Sequence, residues 1–419
     1  MKFIYSLGLN LYYALIYLAS IAGNEKAQQW ISGRKNWKSQ LAAYGTKKNK
    51  RYWVHCSSLG EFEQGRPLIE EIKKREPDSE IILTFFSPSG YEVRKKYPAA
   101  NIVLYLPLDT PGNARHFIDL LNPDTVFFIK YEYWYHYLSR LHSKNIKVYV
   151  VSAIFRPGQS FFKWYGNFFK KMLGFITHFF VQDSVSGELL RDNGLNNFTV
   201  TGDTRFDRVI EVATKSVDIP LLKKFKSDHQ LFIAGSTWPS DEVLIAKSMS
   251  ALIATGVRII LVPHEVQEES IRDLEQTIQK NNSDLKVIRF SKTTEEKASM
   301  ANVLIIDSVG LLSSAYQYAE LAYVGGGFGK GIHNILEAAA YGIPVLFGPE
   351  YSKFKEAIDL IEKKGAFCVN TAADFSQVST DLLRNETTRV VAGRIAREYV
   401  MENGGATSRI LDAIQARKD

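Results

Sequence analysis

The chain has 419 residues, of which 45% are hydrophobic, and this length supports two domains with separate cores. Its only cysteines are Cys56 and Cys368, which excludes a disulfide framework and a cysteine-based zinc cluster and fits a reducing compartment. The formal net charge is +7, but the sequence has no RNA-binding signature and no recognition-helix pattern, so we do not expect nucleic acid as a partner. The histidines also lack metal-ligand spacing, and we expect a metal-free site.

The first predicted element is residues 3–22, an uncharged run just long enough to cross a bilayer as a helix. Lys2 is the only charge before it, whereas eight lysines and arginines follow between Lys26 and Arg51. By the positive-inside rule, we expect residues 1–24 to anchor the protein at the inner membrane, single-pass or peripheral, with its catalytic body in the cytoplasm. Polar residues within the run leave an alternative, a helix that lies in the interface or packs on the protein.

From Arg51 onward, apolar runs of strand length alternate with helical patterns, seven before Arg208 and seven after Asp228. Nearly continuous apolar strands indicate parallel sheets covered on both faces. We therefore predict an α/β protein of GT-B type, with two doubly wound Rossmann-like domains that face a cleft. A charged stretch with Pro220 is interpreted as a linker between Arg208 and Asp228. The expected domains are residues 25–215 and 216–385, followed by helices in 386–419 that cross back to the first domain.

An aromatic segment within the first series, residues 161–173, is predicted to form one amphipathic helix with lysines on its opposite face. Phe162, Trp164 and Phe169 lie on the predicted apolar face. A helix of this kind could contact lipid or a lipid-linked substrate. A core helix of an α/β domain is the alternative.

Two glutamates follow strands of the first series. Glu61 opens the helix after the first strand, where a carboxylate that faces the cleft can act as a general base, or simply complement the helix dipole. Glu132 lies just past the fourth strand among aromatic residues, an environment that suits sugar binding, although it could also cap the next helix.

Other strand ends supply further candidates. Arg205 follows the seventh strand and could neutralise phosphate charge without a metal. Pro263 and His264 follow a strand of the second series. A histidine in such a position is more often an ordinary surface residue, but its neighbours are predicted to point to the same cleft.

Residues 319–351 are the most informative segment, since they read as strand, glycine-rich loop, helix and strand. The glycines from Gly325 to Gly331 would let the backbone approach a ligand, and a helix start at Asn334 and Glu337 would face an anion. No acidic residue ends a next strand about 20 residues on, so the dinucleotide fingerprint matches poorly. A nucleotide or sugar phosphate is predicted instead of NAD, with a tight packing turn as the alternative.

Ten sequence blocks recur in an order that resembles the 3-deoxy-D-manno-octulosonic acid (Kdo) transferases of lipopolysaccharide synthesis. The resemblance covers essentially the whole chain, and the ordered combination is what makes it specific. The blocks are SSLGEFEQGRP, LTFFSPSGYE, IKYEYW, SAIFRP, VQDSVSGELLRDNG, TGDTRFD, AGSTWPSDE, LVPHE, IDSVGLL and GGGFGKGIHNILEAAAYGIPVLFGP.

This resemblance implies GT-B architecture, CMP-Kdo as the donor substrate, no metal or other cofactor, and transfer of Kdo with inversion to a lipid A precursor (lipid IVA). Matching positions imply that Glu61 is the catalytic base and that Glu132 stabilises the transition state. Arg205 stands where the family usually has lysine, which keeps the charge but changes its reach. The implied CMP contacts are Pro263, His264, Val309, Gly310, Leu311, Asn334, Ile335, Leu336 and Glu337.

Two of these positions depart from the family pattern. His264 replaces a usual arginine, and Leu311 replaces a usual glutamate, so cytidine recognition is expected to rely more on backbone groups. Two other functions stay open on sequence alone: another GT-B enzyme that uses a UDP-sugar, and a non-catalytic lipid-binding protein with this fold. The number of Kdo residues transferred and the oligomeric state are left open as well.

Overall fold

The protein is described by a computed structural model covering residues 1–417, which divide into two compact units. Unit 1 comprises Met1–Arg208 and the described C-terminal residues from Gly404 onward. Unit 2 comprises Val209–Asn403. Each unit has its own seven-stranded sheet in which every strand pairing is parallel, so the prediction of two doubly wound α/β folds is confirmed.

The sheet of unit 1 is built from strands that are buried almost throughout. Its order is β3-β2-β1-β4-β5-β6-β7, so the direction of winding reverses between β1 and β4. Trp53 pairs with Ile82 on one side and with Val126 on the other. The strands are β1 (Arg51–Cys56), β2 (Glu80–Phe85), β3 (Ile102–Tyr105), β4 (Thr125–Ile129), β5 (Lys147–Ala153), β6 (His178–Val181) and β7 (Phe198–Val200).

Helices cover both faces of this sheet because alternate strand residues point to opposite sides. Trp53 belongs to the apolar core on one face and its neighbour Val54 to the core on the other. The helices up to the unit boundary are α1 (Lys2–Ile21), α2 (Glu25–Ser32), α3 (Trp37–Tyr44), α4 (Leu59–Arg75), α5 (Pro88–Arg94), α6 (Pro111–Leu121), α7 (Tyr135–Ser143), α8 (Asn167–Leu173), α9 (Ser184–Asp192) and α10 (Thr204–Thr214).

The sheet of unit 2 has the order β10-β11-β9-β8-β12-β13-β14, and its winding reverses between β8 and β12. All seven strand runs predicted for this half are present as strands. They are β8 (Leu231–Thr237), β9 (Arg258–Pro263), β10 (Val287–Arg289), β11 (Val303–Ile305), β12 (Leu321–Val324), β13 (Val345–Phe347) and β14 (Ala366–Cys368).

The remaining helices complete unit 2 and end with one that belongs to unit 1. They are α11 (Pro220–Lys226), α12 (Pro239–Ile253), α13 (Glu268–Asn281), α14 (Glu295–Ala298), α15 (Leu312–Ala315), α16 (Leu336–Ala339), α17 (Lys355–Glu362), α18 (Ala372–Arg384), α19 (Glu386–Glu402) and, in unit 1, α20 (Ala406–Gln415).

The stretch between Arg208 and Asp228, predicted as a linker, is mostly helical, and the boundary between the two units lies at its start. Helix α10 runs through the unit boundary to Thr214, and α11 begins at Pro220. Proline is well tolerated at the first position of a helix because that position needs no amide donor. Pro220 therefore marks the start of α11.

Helix α1 confirms the predicted N-terminal apolar helix and is long enough to cross a membrane by length and composition. One side of it packs on unit 1: Tyr5 donates to Asp109 at 2.7 Å, and the ring of Tyr12 stacks on Phe86. The other side is apolar and exposed, and consists of Phe3, Ile4, Leu7, Leu11, Leu15, Leu18 and Ile21.

The aromatic segment does not form the single helix that its periodicity predicts. A 3₁₀ turn covers Ser160–Phe162, and α8 begins only at Asn167. Gly166 sits in the break, where a Cβ would lie 2.0 Å from the Ser160 carbonyl oxygen.

The three side chains proposed for one lipid-facing surface consequently differ in environment. Phe162 and Phe169 are partly buried against the core of unit 1, whereas Trp164 is 91% exposed. Their common helical face is a wrong prediction, because the glycine break changes the direction of the chain between them.

Candidate functional site

The carboxyl ends of β1 and β4 are neighbours in the sheet of unit 1, at the point where its winding reverses. In open α/β sheets, ligands bind at such switch points because the connections on either side leave a crevice there. Glu61 lies in the first turn of the helix that follows β1, and Glu132 lies in the loop that follows β4. The structure therefore brings these two predicted residues to adjacent strand ends.

Glu61 stands three residues after the N-cap of α4. Its Oε2 atom accepts hydrogen bonds from the backbone amide of Ser58, at 3.0 Å, and from the Ser58 hydroxyl. This is one half of a capping box, so the helix-start role considered from the sequence is present in the structure. The carboxylate is half-buried, and such a group can still take a proton from a ligand at the strand end.

Glu132 is buried, with 8% of its surface exposed. Its Oε2 atom accepts a hydrogen bond from Trp134 Nε1 at 2.7 Å and lies 3.1 Å from His55 Nε2. The alternative that Glu132 caps the next helix is wrong, since Asp109 accepts from the first-turn amides of α7. The backbone turns sharply before it, with Lys130 in the left-handed region at φ 68°.

His55 is a site residue that the sequence analysis missed. It is fully buried on β1, and its Nδ1 atom lies 2.8 Å from Thr84 Oγ1 on β2. The His55 ring thereby connects the Glu132 carboxylate to Thr84 on the neighbouring strand. A histidine inside the apolar run YWVHC was the available signal, since a buried polar residue on a central strand requires a partner.

Arg205 lies in the first turn of α10, after the last strand of the sheet. Its Nε atom donates to Asp203 Oδ2 at 2.7 Å, and its backbone amide donates to Asp203 Oδ1 at 2.9 Å. Burial alone would raise the pKa of Asp203, but the charge of Arg205 and hydrogen bonds from Arg205 and Gln64 outweigh it and lower that pKa. The predicted cation is therefore held by a buried, ionised partner.

Tyr131 lies close enough to several of these charged groups for them to act on its hydroxyl. Burial raises the pKa of its hydroxyl, and the charges of Arg156, Glu61, Arg205 and Asp203 act on the same group. Unit 1 thus gathers carboxylates and guanidinium groups around one tyrosine at the carboxyl edge of its sheet. Arg156 had no signal in the sequence beyond its place after β5. We refer to His55, Glu61, Glu132, Asp203 and Arg205 as the unit 1 site.

In unit 2, the glycine-rich loop after β12 packs against other parts of the backbone. A Cβ on Gly325 would lie 2.3 Å from the Ser236 carbonyl oxygen, and one on Gly327 would lie 2.6 Å from Gly348. These two glycines are required by close packing within the protein, as in the alternative weighed from the sequence. The expectation that they open the backbone to a ligand is wrong at these positions.

Asp241 fixes this loop to the start of α12. It is fully buried, and its carboxylate accepts from the amides of Gly326 and Trp238, each at 2.9 Å, and from the Tyr323 hydroxyl at 2.7 Å. The loop after β12 and the helix after β8 therefore form one rigid structure at the switch point of the second sheet. Asp241 is a further residue that the sequence analysis did not select.

Three aromatic rings stack at this edge. The His264 ring stacks on both Trp238 and His333, with ring centroids 4.5 and 4.6 Å apart. Trp238 Nε1 donates to His333 Nε2 at 2.9 Å, and an indole can only donate, so Nε2 of His333 is unprotonated. Burial and the neighbouring His264 lower the pKa of His333. His264 is thus part of an ordered wall, to which Trp238 and His333 add residues that were not predicted.

Glu337, a predicted CMP contact, hydrogen-bonds to two neighbouring side chains. Its carboxylate accepts from the Ser313 hydroxyl and, at 3.2 Å, from Asn334 Nδ2. These bonds join the loop that carries Val309, Gly310 and Leu311 to the segment Asn334–Glu337. Helix α16 is a single turn, so the helix dipole expected at this point is much weaker than predicted.

The segments of unit 2 predicted to bind a nucleotide therefore meet at one sheet edge. His264, after β9, stacks on His333, and His333 adjoins Asn334. We refer to Trp238, His264, His333, Asn334 and Glu337 as the unit 2 site. Within residues 1–417, the structure contains no group of three or more histidine, cysteine, aspartate or glutamate side chains placed to hold a metal ion.

Comparisons with known proteins match both halves of the chain. Residues 35–208 match the family model described as 3-deoxy-D-manno-octulosonic-acid transferase (kdotransferase). The 3-deoxy-D-manno-octulosonic acid transferase of Haemophilus influenzae is 29% identical over 87% of this chain and 86% of its own length. That of Bordetella pertussis is 27% identical over the same shares.

Among solved structures, UDP-GlcNAc 2-epimerase from Neisseria meningitidis bound to UDP-GlcNAc superposes with a TM-score of 0.63. It is 15% identical and covers 87% of this chain and 100% of its own, and this likeness supports the two-unit GT-B fold alone. The sequence matches are more specific, because the matched relatives carry the same name and align with both units. The family-model match over residues 35–208 and the relatives that align over most of the chain thus make this chain similar to the 3-deoxy-D-manno-octulosonic acid (Kdo) transferases.

Proposed function

We propose that this protein transfers Kdo from CMP-Kdo to a hydroxyl group of a lipid A precursor, with inversion at the anomeric carbon. The observation that carries the proposal is the pair Glu61 and Glu132 at adjacent strand ends of unit 1, within the residues that match the Kdo transferase family model. Carboxylates at a switch point can remove a proton and stabilise positive charge on a sugar ring.

In the proposed reaction, the acceptor hydroxyl oxygen forms a bond to the anomeric carbon of Kdo while the bond from that carbon to the CMP phosphate breaks. Glu61 takes the proton of the hydroxyl, and CMP leaves with the electron pair of the broken bond. Glu132, supported by His55 and Trp134, presents negative charge where the oxocarbenium-like transition state becomes positive. Arg205 is proposed to balance phosphate charge, a role for which its ion pair with Asp203 orients it.

The unit 2 site is proposed to hold the cytidine monophosphate part of the donor. The stacked rings of Trp238, His264 and His333 offer a flat aromatic wall to a nucleotide. Asn334 and Glu337 supply amide and carboxylate groups suited to ribose hydroxyls. The exposed loop at Val309–Leu311 and the strand end at Pro263 complete the predicted set.

At the membrane, we propose that α1 lies along the cytoplasmic face of the inner membrane as a peripheral helix. Its packed side contacts unit 1 through Tyr5 and Tyr12, and a helix held in this way is not surrounded by lipid as a span would be. Phe168 also contacts Tyr5, so the segment with the exposed Trp164 adjoins α1. The exposed lysines of that segment favour anionic lipid head groups.

The test is donor selectivity with a lipid acceptor. The full chain in detergent is incubated with a lipid A precursor and either CMP-Kdo or UDP-N-acetylglucosamine, and the lipid is analysed by mass spectrometry. Kdo-bearing lipid only from CMP-Kdo supports the proposal. Transfer from the UDP-sugar alone, or no transfer from either donor by correctly folded protein, contradicts it.

A further inference from the structure

Helix α1 contacts the part of unit 1 that carries Glu132, at two separate points. The first is a hydrogen-bond relay. The Tyr5 hydroxyl donates to Asp109 Oδ2 at 2.7 Å, and Asp109 accepts from the amides of His136 at 3.0 Å and Tyr137 at 2.9 Å. Those amides form the first turn of α7, which begins three residues after Glu132.

Asp109 is 1% exposed, so this relay is closed to water. Tyr5 is the side-chain donor to its carboxylate, alongside the two backbone amides, and it belongs to α1. The Tyr5 hydroxyl also lies 3.3 Å from the amide of Tyr135. Removing the Tyr5 hydroxyl leaves a buried carboxylate with fewer donors, and buried polar groups are costly when they lose a partner. The start of α7 is therefore fixed in part from α1.

The second point is a series of aromatic rings. Tyr12 of α1 stacks on Phe86 with centroids 6.2 Å apart and planes at 22°. Phe86 stacks in turn on Trp134 at 4.8 Å and 30°, and Trp134 Nε1 donates to Glu132 Oε2 at 2.7 Å. Arg34 holds the backbone of Phe86, because its Nη2 atom donates to the Phe86 carbonyl oxygen at 2.5 Å.

Both routes end at the same short segment, residues 132–137. The stacked rings of Tyr12 and Phe86 hold the position of the Trp134 indole, which donates to the Glu132 carboxylate. The hydrogen bonds of Tyr5 and Asp109 hold the first turn of α7, which follows Glu132. We propose that α1 is a positioning element of the unit 1 site, acting on Glu132 through Tyr5 and Tyr12. The inference rests on the proposed function for the role of Glu132, but the contacts themselves do not depend on it.

The consequence is that the same helix that meets the membrane also shapes the acceptor-side site. Its exposed side, with Leu7, Leu11 and Leu15, faces away from unit 1, while its packed side holds the Glu132 loop. A lipid-linked acceptor would then reach a site whose geometry depends on the element at the lipid surface. This gives α1 a role in catalysis beyond attachment.

The first experiment compares Tyr5→Phe and Tyr12→Ala with the same changes at Tyr17, which lies on α1 and stacks only on Tyr13 among the described rings. In full-length protein, Tyr5→Phe and Tyr12→Ala should lower kcat for Kdo transfer about tenfold with KM for CMP-Kdo unchanged. Tyr12→Phe should restore the rate, and Tyr17→Phe and Tyr17→Ala should match wild type. Equal loss in the Tyr17 variants would overturn the inference.

A double-mutant cycle with Glu132→Gln separates positioning from general destabilisation. If Tyr12 acts through Glu132, Tyr12→Ala should cause little further loss in the Glu132→Gln background, because interacting residues are not additive. Independent, multiplied losses would show that α1 affects only stability and would refute the proposal.

Hydrogen–deuterium exchange of residues 132–137 is the readout that does not need the reaction. Exchange should increase in Tyr5→Phe and Tyr12→Ala and stay at the wild-type level in the Tyr17 variants. Unchanged exchange in all variants contradicts the inference. Failure of wild-type protein to transfer Kdo, with exchange changing as expected, would instead refute the proposed function and leave the positioning contacts intact.

Discussion

Glu61 and Glu132 are both glutamates at strand ends, but their surroundings suit them to different tasks. Glu61 is half-buried at a helix start and bound to Ser58, where a ligand hydroxyl can exchange for the serine contact. Glu132 is buried against His55 and Trp134, an arrangement that holds a charge in place. The first is suited to proton transfer and the second to electrostatic stabilisation.

Replacing Glu61 by glutamine should abolish measurable Kdo transfer while leaving CMP affinity near wild type. The change removes the proton acceptor from unit 1, and general-base catalysis typically contributes about 10²–10⁴ in rate. Transfer is measured by lipid mass spectrometry and CMP binding by calorimetry. Glu63→Gln, on the same helix, is the matched control, and near-normal transfer by Glu61→Gln would remove it from the mechanism.

Replacing Glu337 by alanine should weaken CMP binding by about 1–3 kcal/mol, since hydrogen bonds to a charged group are lost. The bonds from Ser313 and Asn334 that join two loops of the unit 2 site are lost with it. Calorimetry with CMP measures the effect, and Glu362→Ala, at the end of α17, serves as the control. Unchanged affinity would place the nucleotide elsewhere.

Which single residues form the sites was only partly predictable. Glu61, Glu132 and His264 could be selected because they follow strand ends, and strand ends converge in a doubly wound sheet. His55 was marked only by its place in an apolar strand, and Asp241 by nothing, since their importance lies in contacts with Glu132 and Gly326 that come from distant parts of the chain. A buried partner of this kind leaves no periodic pattern.

At the scale of elements, the strands were predicted far better than the helices near the sites. Each strand is a short apolar run, and that signal survives in any buried parallel sheet. The prediction of one helix for the aromatic segment was wrong because helical periodicity does not take account of the space available at Gly166. A side chain there would collide with the Ser160 carbonyl. The length of helix α16 was also overestimated, because glycine spacing indicates a turn but not the length of the helix after it.

The aromatic segment now predicts opposite outcomes for two substitutions. Trp164→Ser should leave the melting temperature unchanged and weaken binding to vesicles that contain anionic lipid, because this side chain is 91% exposed. Phe169→Ser should lower the free energy of unfolding by about 1–3 kcal/mol, because that ring packs on the core of unit 1. Thermal unfolding and vesicle sedimentation distinguish the two. Destabilisation by Trp164→Ser would contradict this assignment.

In the whole molecule, the two units have the same architecture, a doubly wound parallel sheet of seven strands. Each places its candidate residues at the carboxyl edge, where the winding reverses between β1 and β4 or between β8 and β12. A transferase has two substrates, and two switch points provide one site for each. The sequence alone predicted two doubly wound units because alternating strands and helices favour parallel sheets with right-handed connections.

Unit 2 should lose stability as the pH rises from about 4.5 to about 7. Burial, with the charges of Asp241, Asp273 and Glu265, raises the pKa of Glu242 from 4.5 to about 7. The stability linked to this proton is fully present below pH 4.5 and is lost as the pH rises through about 7. Glu242→Gln should therefore raise the melting temperature by a few degrees at pH 8 and leave it unchanged at pH 4.5. An equal effect at both pH values would contradict the assignment.

Transfer of Kdo from CMP-Kdo to a lipid A precursor is the activity proposed for this chain. The most direct measurement is the mass of the lipid after incubation of the full chain with CMP-Kdo and a tetraacylated lipid A precursor. We expect a lipid product heavier by one or more Kdo residues, with one CMP released for each Kdo transferred. Unchanged lipid, in the presence of folded protein that binds CMP, would contradict it.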